Sequence, residues 1–168
     1  HLVFTLPHAL NGLAQAHPRW VYRTIMQCSA ATLTEFAANP RWLGGTGAFT
    51  LVLHTWTQDL RRHVHVHALM ACGALGLDAN GAAMWVQPRR SRNFLFPVHA
   101  LSRVFRGKFM QALAQAGDAG ALPNDPADTA TARDERVRAL RQHDWVVYAK
   151  TPLAAAAAGP AGGGGGER

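Results

Sequence analysis

The sequence predicts an α+β fold: an antiparallel sheet that carries a histidine-rich strand, with helices packed on it. Three observations predict it. His63-Val64-His65-Val66-His67 alternates at period two, so three imidazoles share one face of a strand and two valines the other. Trp20 to Ala38 and the stretch after Pro97 carry apolar residues at helical spacing. The segments follow in the order strand, helix, hairpin, helix, helix, strand, which suits a sandwich built on an antiparallel sheet.

His1-Leu2-Val3-Phe4-Thr5-Leu6-Pro7 reads as the opening strand; it is too short, and lacks the charged start, for a signal peptide. Pro7 and Asn11-Gly12 mark a turn, and Pro18 sits where the first turn of a helix tolerates proline. Val21, Ile25, Cys28, Thr32, Leu33 and Phe36 form that helix's buried stripe, Asn39-Pro40 ends it, and Gly44-Gly45-Thr46-Gly47 is a loop. Ala48 to Gln58, rich in β-branched and aromatic residues, reads as a strand. A tight turn over Asp59 to Arg62 leads into the histidine strand, which runs to about Cys72.

If the hairpin turns at Leu60-Arg61, Gln58 faces His63, Trp56 faces His65 and His54 faces His67. His54 and Gln58 then join the histidine face; a slip of one residue exchanges them for Thr55 and Thr57. Met84-Trp85-Val86-Gln87 adds a short strand after Asn80-Gly81. Pro97 opens a helix with Val98, Leu101, Phe105, Phe109, Ala112 and Leu113 buried and Gly117 as its C-cap. Gly117 to Ala132, with Pro123 and Pro126, is a polar linker. Arg133 to His143 is an exposed charged helix anchored by Val137 and Leu140, and Trp145-Val146-Val147-Tyr148 a buried strand. From Ala154 come alanines, Gly-Pro and five glycines, a tail with nothing to pack and expected to be disordered. The expected division is a domain over 1–153 and a tail over 154–168.

With 168 residues the chain suits one domain, and at 48% apolar composition it can bury a core. No apolar run is long enough for a membrane span. The chain holds two cysteines, Cys28 and Cys72, far apart and outside any Cys-x-x-Cys pattern, which indicates reduced thiols and a cytoplasmic setting. A net charge of +7 favours a polyanionic partner, although a GC-rich genome also enriches arginine and alanine. The candidate phosphate contacts are Arg61, Arg62, Arg89, Arg90, Arg92, Arg103, Arg106 and Lys108. Arg133, Arg136, Arg138 and Arg141 form a further basic run, and Trp20, Trp56, Trp85 and Phe94 are candidate base-stacking residues or core.

Imidazole is the commonest side-chain metal ligand, and same-face histidines on a strand can grip one cation. His65 and His67 are the first candidates, with His54, Gln58 or His63 as a further ligand. A cation held there would keep open positions for a substrate oxygen.

His54-Thr55-Trp56-Thr57-Gln58, a short basic turn and His63-x-His65-x-His67 resemble the rolling-circle transposases of bacterial insertion sequences, the two-tyrosine branch of the HUH endonucleases. The opening strand, Phe94-Leu95-Phe96-Pro97-Val98, Phe105-Arg106-Gly107-Lys108-Phe109 and Trp145 to Pro152 extend the resemblance over about residues 1–153. It implies that His65-Val66-His67 is the HUH element and that the ion is magnesium or manganese beside a scissile phosphate of single-stranded DNA. It also implies a nucleophilic tyrosine that leaves a 5′-phosphotyrosine link and a free 3′-hydroxyl.

The family's paired tyrosines lie on a helix after the strand that here is Trp145 to Lys150; this chain has the Ala/Gly tail there. Its tyrosines, Tyr22 and Tyr148, match neither position and read as packing residues. The expectation is a transposase fragment, truncated at both ends, whose tail suggests a reading-frame slip and which is inactive alone. Two other readings fit the residues: a zinc hydrolase built on the histidines, and a non-catalytic basic DNA-binding module.

Overall fold

The computed structural model describes residues 1–56, 62–88, 95–122 and 130–150. Strand β1 spans Leu2–Thr5 and leads through a 3-10 turn, His8–Leu10, into a short helix α1, Asn11–Ala16. The turn expected at Asn11-Gly12 is therefore helical. Helix α2 runs Pro18–Ala38 with Pro18 in its first turn, where no intrahelical N–H is needed. Its buried side chains include all six of the expected stripe, joined by Thr24, Ser29 and Ala37. Asn39 is extended, as a residue before proline must be, and Gly44 takes φ +73° in the loop that follows.

Strands β2, Thr46–Trp56, and β3, Arg62–Leu77, form the long antiparallel hairpin at the centre of the sheet. β3 runs five residues beyond the expected end at Cys72, because its far half pairs with β4, Ala83–Val86. β1 lies on the other side of β3, and β5, Val147–Ala149, adds to β1, giving the order β2-β3-β1-β5 with every pairing antiparallel.

Helix α3 spans Val98–Asp118 and α4 Ala130–Gln142. Gly117 lies inside α3; the glycine that takes the left-handed conformation is Gly120, at φ +64°. The expected linker is shorter than the sequence suggested, since α4 begins before Arg133. Trp145 precedes β5 rather than joining it. It is buried, its Nε1–H donating to the Leu140 carbonyl at 3.0 Å. The expected tail over 154–168 lies outside the described residues.

Thr5, the partner of His65, is buried on one side of the sheet, while the buried apolar side chains of β1 and β3 lie on the other. Phe4, Val64, Val66 and Ala68 are sealed from solvent there, with the Phe4 ring 5.1 Å from Phe105 of α3. Phe105 and Phe109 in turn meet Trp145 at 5.6 and 5.4 Å, and Ser102 Oγ–H donates to the Trp145 carbonyl at 2.6 Å. Burying such a ring contributes roughly 1.5–3 kcal/mol, so this aromatic layer fixes the sheet; on the opposite face, among the described residues, Val52, Leu69 and Tyr148 are exposed. No helix among the described residues is long and apolar enough to cross a membrane.

Candidate metal centre

The open face is built by strand alternation. Along β3, Val64, Val66, Ala68 and Met70 point into the core, so His63, His65, His67 and Leu69 point out. Across the hairpin His54 of β2 is the direct partner of His65, and Val52 of His67. This corrects the expected pairing of His54 with His67. Trp56 pairs with Arg62, three residues from the expected His65, and a bulge between Trp56 and His54 reduces the difference to two at His54. The shift from the expected register is two residues, so His54 keeps its place on the histidine face.

His54, His65 and His67 each offer a ring nitrogen, and those atoms lie within 4.8 Å of one another. The His54 ring centroid is 4.4 Å from that of His67 and 5.3 Å from that of His65. Three imidazole nitrogens on one tetrahedral ion stand roughly 3.4 Å apart, so small side-chain rotations close the triad on a cation. His63 stands outside it, with its ring 5.2 Å from His65 and 5.2 Å from His8 of the 3-10 turn. Gln58 lies outside the described residues.

The donor chemistry suits a cation. His65 Nδ1 is 2.9 Å from the His63 carbonyl. A carbonyl only accepts, so Nδ1 carries the hydrogen and Nε2 presents its lone pair. Burial, then the neighbouring His54 and His65, hold the His67 imidazole below its ordinary pKa of 6.5. Burial, then His65 and His8, do the same for His63. At these two positions the neutral, ligand-competent imidazole is therefore favoured.

Two histidines escaped sequence reasoning. His1 Nε2 lies 2.8 Å from His67 Nδ1, with the rings nearly parallel at 16°. His8 meets His63 edge-on and lies 3.3 Å, through Nδ1, from Asn11 Nδ2. The His1-x-Val3-x-Thr5 alternation was visible in the sequence, but not that β1 pairs with the histidine strand. Tyr148 was read as packing, yet it is exposed. It pairs with Val3, which pairs with His67, so all three point from the same face.

The basic residues divide differently. Arg103, Arg106 and Lys108 belong to α3, in the helix layer behind the sheet. Lys108 Nζ pairs with Glu35 Oε2 at 2.7 Å, and Arg106 pairs with Asp144 at 3.5 Å and donates to the His143 carbonyl. Arg61, Arg89, Arg90, Arg92 and Phe94 lie outside the described residues, as does the side chain of Arg62. Trp20 packs against Phe109 at 5.8 Å, while Trp56 and Trp85 are exposed.

The sequence model of the family Y2_Tnp, described as "Putative transposase", matches residues 47–159. The "Putative transposase y4qJ" of Sinorhizobium fredii (strain NBRC 101917 / NGR234) is 37% identical over 160 residues, covering 92% of this chain and 38% of that protein. Among solved structures, the conjugative relaxase TrwC in complex with oriT DNA, a metal-free structure, is similar with a TM-score of 0.44 and 13% identity. That match covers 90% of this chain and 66% of the relaxase chain. The chain thus spans just over a third of its curated relative's length.

Proposed function

The chain belongs to the Y2_Tnp transposase family, and from that premise we propose that residues 1–153 form part of a DNA transposase that binds single-stranded DNA at a metal-dependent nicking site. The observation that carries the reading is the imidazole triad His54, His65 and His67, with His54 exposed and the other two half-buried. His65 and His67 are the principal ligands and His54 the third. A divalent ion held there would polarise a phosphoryl oxygen and offset the charge that develops on it. The chain's own residues supply the rest: neutral imidazoles to hold the ion and an open face for a strand of DNA to reach it.

Of magnesium and manganese, the all-nitrogen donor set favours manganese, since magnesium prefers oxygen ligands and retains its water. Arg61 and Arg62 immediately precede His63 in the sequence and are the first candidates to meet phosphate. Arg89, Arg90 and Arg92 are further candidates. Arg103, Arg106 and Lys108 stand behind the sheet, so any DNA they touch follows a path around it.

The chain's tyrosines, Tyr22 and Tyr148, match neither nucleophile position that the resemblance implies. The chain alone therefore binds DNA without forming a phosphotyrosine link. Incubation with single-stranded DNA and manganese, followed by a denaturing gel, tests this. Salt-sensitive binding with no covalent adduct is expected; an adduct, with Tyr148 the first residue to map, would overturn the inactive reading. A second reading, a zinc hydrolase, is favoured by the same three-nitrogen donor set. Tight stoichiometric zinc with ester hydrolysis and no DNA binding would replace the first reading by it.

A further inference from the structure

We propose that His1 is a positioning residue for the metal centre: its Nε2 accepts the Nδ1–H of His67 and so aims His67 Nε2 at the cation. This rests on the metal-site reading above and extends it beyond the three ligands.

A neutral imidazole carries one hydrogen on one of its two nitrogens, and the partner of the first decides which nitrogen is left as a ligand. On His65 the decision is made by the backbone, because the His63 carbonyl lies 2.9 Å from Nδ1. On His67 the corresponding nitrogen, Nδ1, lies 2.8 Å from His1 Nε2. The two ligands are thus held alike at Nδ1, one by a carbonyl and the other by a second imidazole.

The contact is built into the sheet. Val3 is the direct partner of His67, and His1, two residues earlier and just before β1, brings its ring to the same face one step along. The backbone there is fixed by the Lys150 N–H, which donates to the His1 carbonyl at 2.8 Å. His1 also stacks beside His67 with ring centroids 5.0 Å apart, which limits rotation of the ligand ring. An outer partner of this kind raises the basicity of the ligand and removes the entropy of orienting it. Among the described residues three imidazoles lie against the His67 ring: His1 from just before β1, His54 from β2 and His65 from β3 itself. Of these only His1 reaches Nδ1 at hydrogen-bonding distance.

Two measurements on the full chain test the proposal. Nitrogen-15 NMR of the metal-free protein near neutral pH reads the tautomer of His67 directly. The Nδ1–H form is expected in the unaltered chain and a mixture in His1→Ala; an Nε2–H form in the unaltered chain would overturn the proposal whether or not metal binds. Manganese titration followed by electron paramagnetic resonance gives the second readout. His1→Ala is expected to weaken binding about 10- to 100-fold, and His1→Gln, whose amide oxygen accepts the same hydrogen, to recover most of it. Equal loss in both variants, or no loss in His1→Ala, would overturn the positioning role. His67→Ala separates the two ideas. If it abolishes binding while His1→Ala does not, only the role of His1 fails; if it too leaves binding intact, the metal site fails.

Discussion

The two faces of β3 are made of one continuous stretch of chain and do opposite work. Val64, Val66, Ala68 and Met70 are buried beneath α2 and α3, among the rings of Phe4, Phe105 and Phe109. His63, His65 and His67 alternate with the valines and face the other side of the sheet, where Val52, Leu69 and Tyr148 are exposed. The helix-covered face holds the fold, and the open face holds chemistry that the fold can do without. Packing energy on one side lets the other crowd imidazoles together at a cost in mutual repulsion.

The largest expected effect breaks the covered face. Phe105→Ala removes a ring that touches both Phe4 and Trp145 and should cost about 3–5 kcal/mol in urea denaturation. His65→Ala should leave the denaturation midpoint nearly unchanged. A comparable loss in both would erase the distinction between the faces.

Next comes Gly73, where β3 passes beneath Trp85. A Cβ there would fall 2.4 Å from the indole ring, so the ring must swing aside. Gly73→Ala should cost about 1–3 kcal/mol while metal binding persists, because Gly73 lies on β3 beyond the triad. Loss of metal binding in this variant would show that the β4 end and the histidine end of the strand are coupled.

A smaller effect follows pH. The His63 and His67 pKa values are lowered on folding, so as pH falls from neutrality the unfolded chain takes up protons before the folded one. The stability they contribute is complete above the ordinary value of 6.5 and is lost as pH falls through it toward the lowered folded values. The metal-free chain should therefore weaken across that window, and His63→Asn with His67→Asn should flatten the slope. An unaltered slope would mean that the open face does not titrate as a crowded group.

The smallest effect concerns the thiols. Burial pushes Cys28 up to about 11, against a lowering by Lys108, whereas Cys72 is exposed. A thiol reagent should label Cys72 in the folded chain and Cys28 only on unfolding, as read by mass spectrometry.

Much of this was legible locally. The α2 stripe, the helix after Pro97 and the alternation of His63 to His67 are periodicities within single elements, which sequence records directly. The placement of His54 with His65 and His67 was legible too, since a register shift of two preserves the face. What failed was non-local or irregular. The hairpin pairs three residues off the expected register at Trp56 and, past the bulge, two off at His54, and nothing in the turn sequence specified either. His1 and His8 join the histidine face through the pairing of β1 with β3 and a 3-10 turn. Trp145 reads as a strand residue because β-propensity cannot distinguish a strand from a buried anchor beside one.

The central claim is that His54, His65 and His67 hold a single divalent ion. Manganese titration of the full chain, compared with His65→Ala and His67→Ala, tests it most directly. One saturable site is expected in the unaltered chain and about a 100-fold or greater loss in either variant, with the fold intact by circular dichroism. Saturable binding of unchanged affinity in both variants would contradict it.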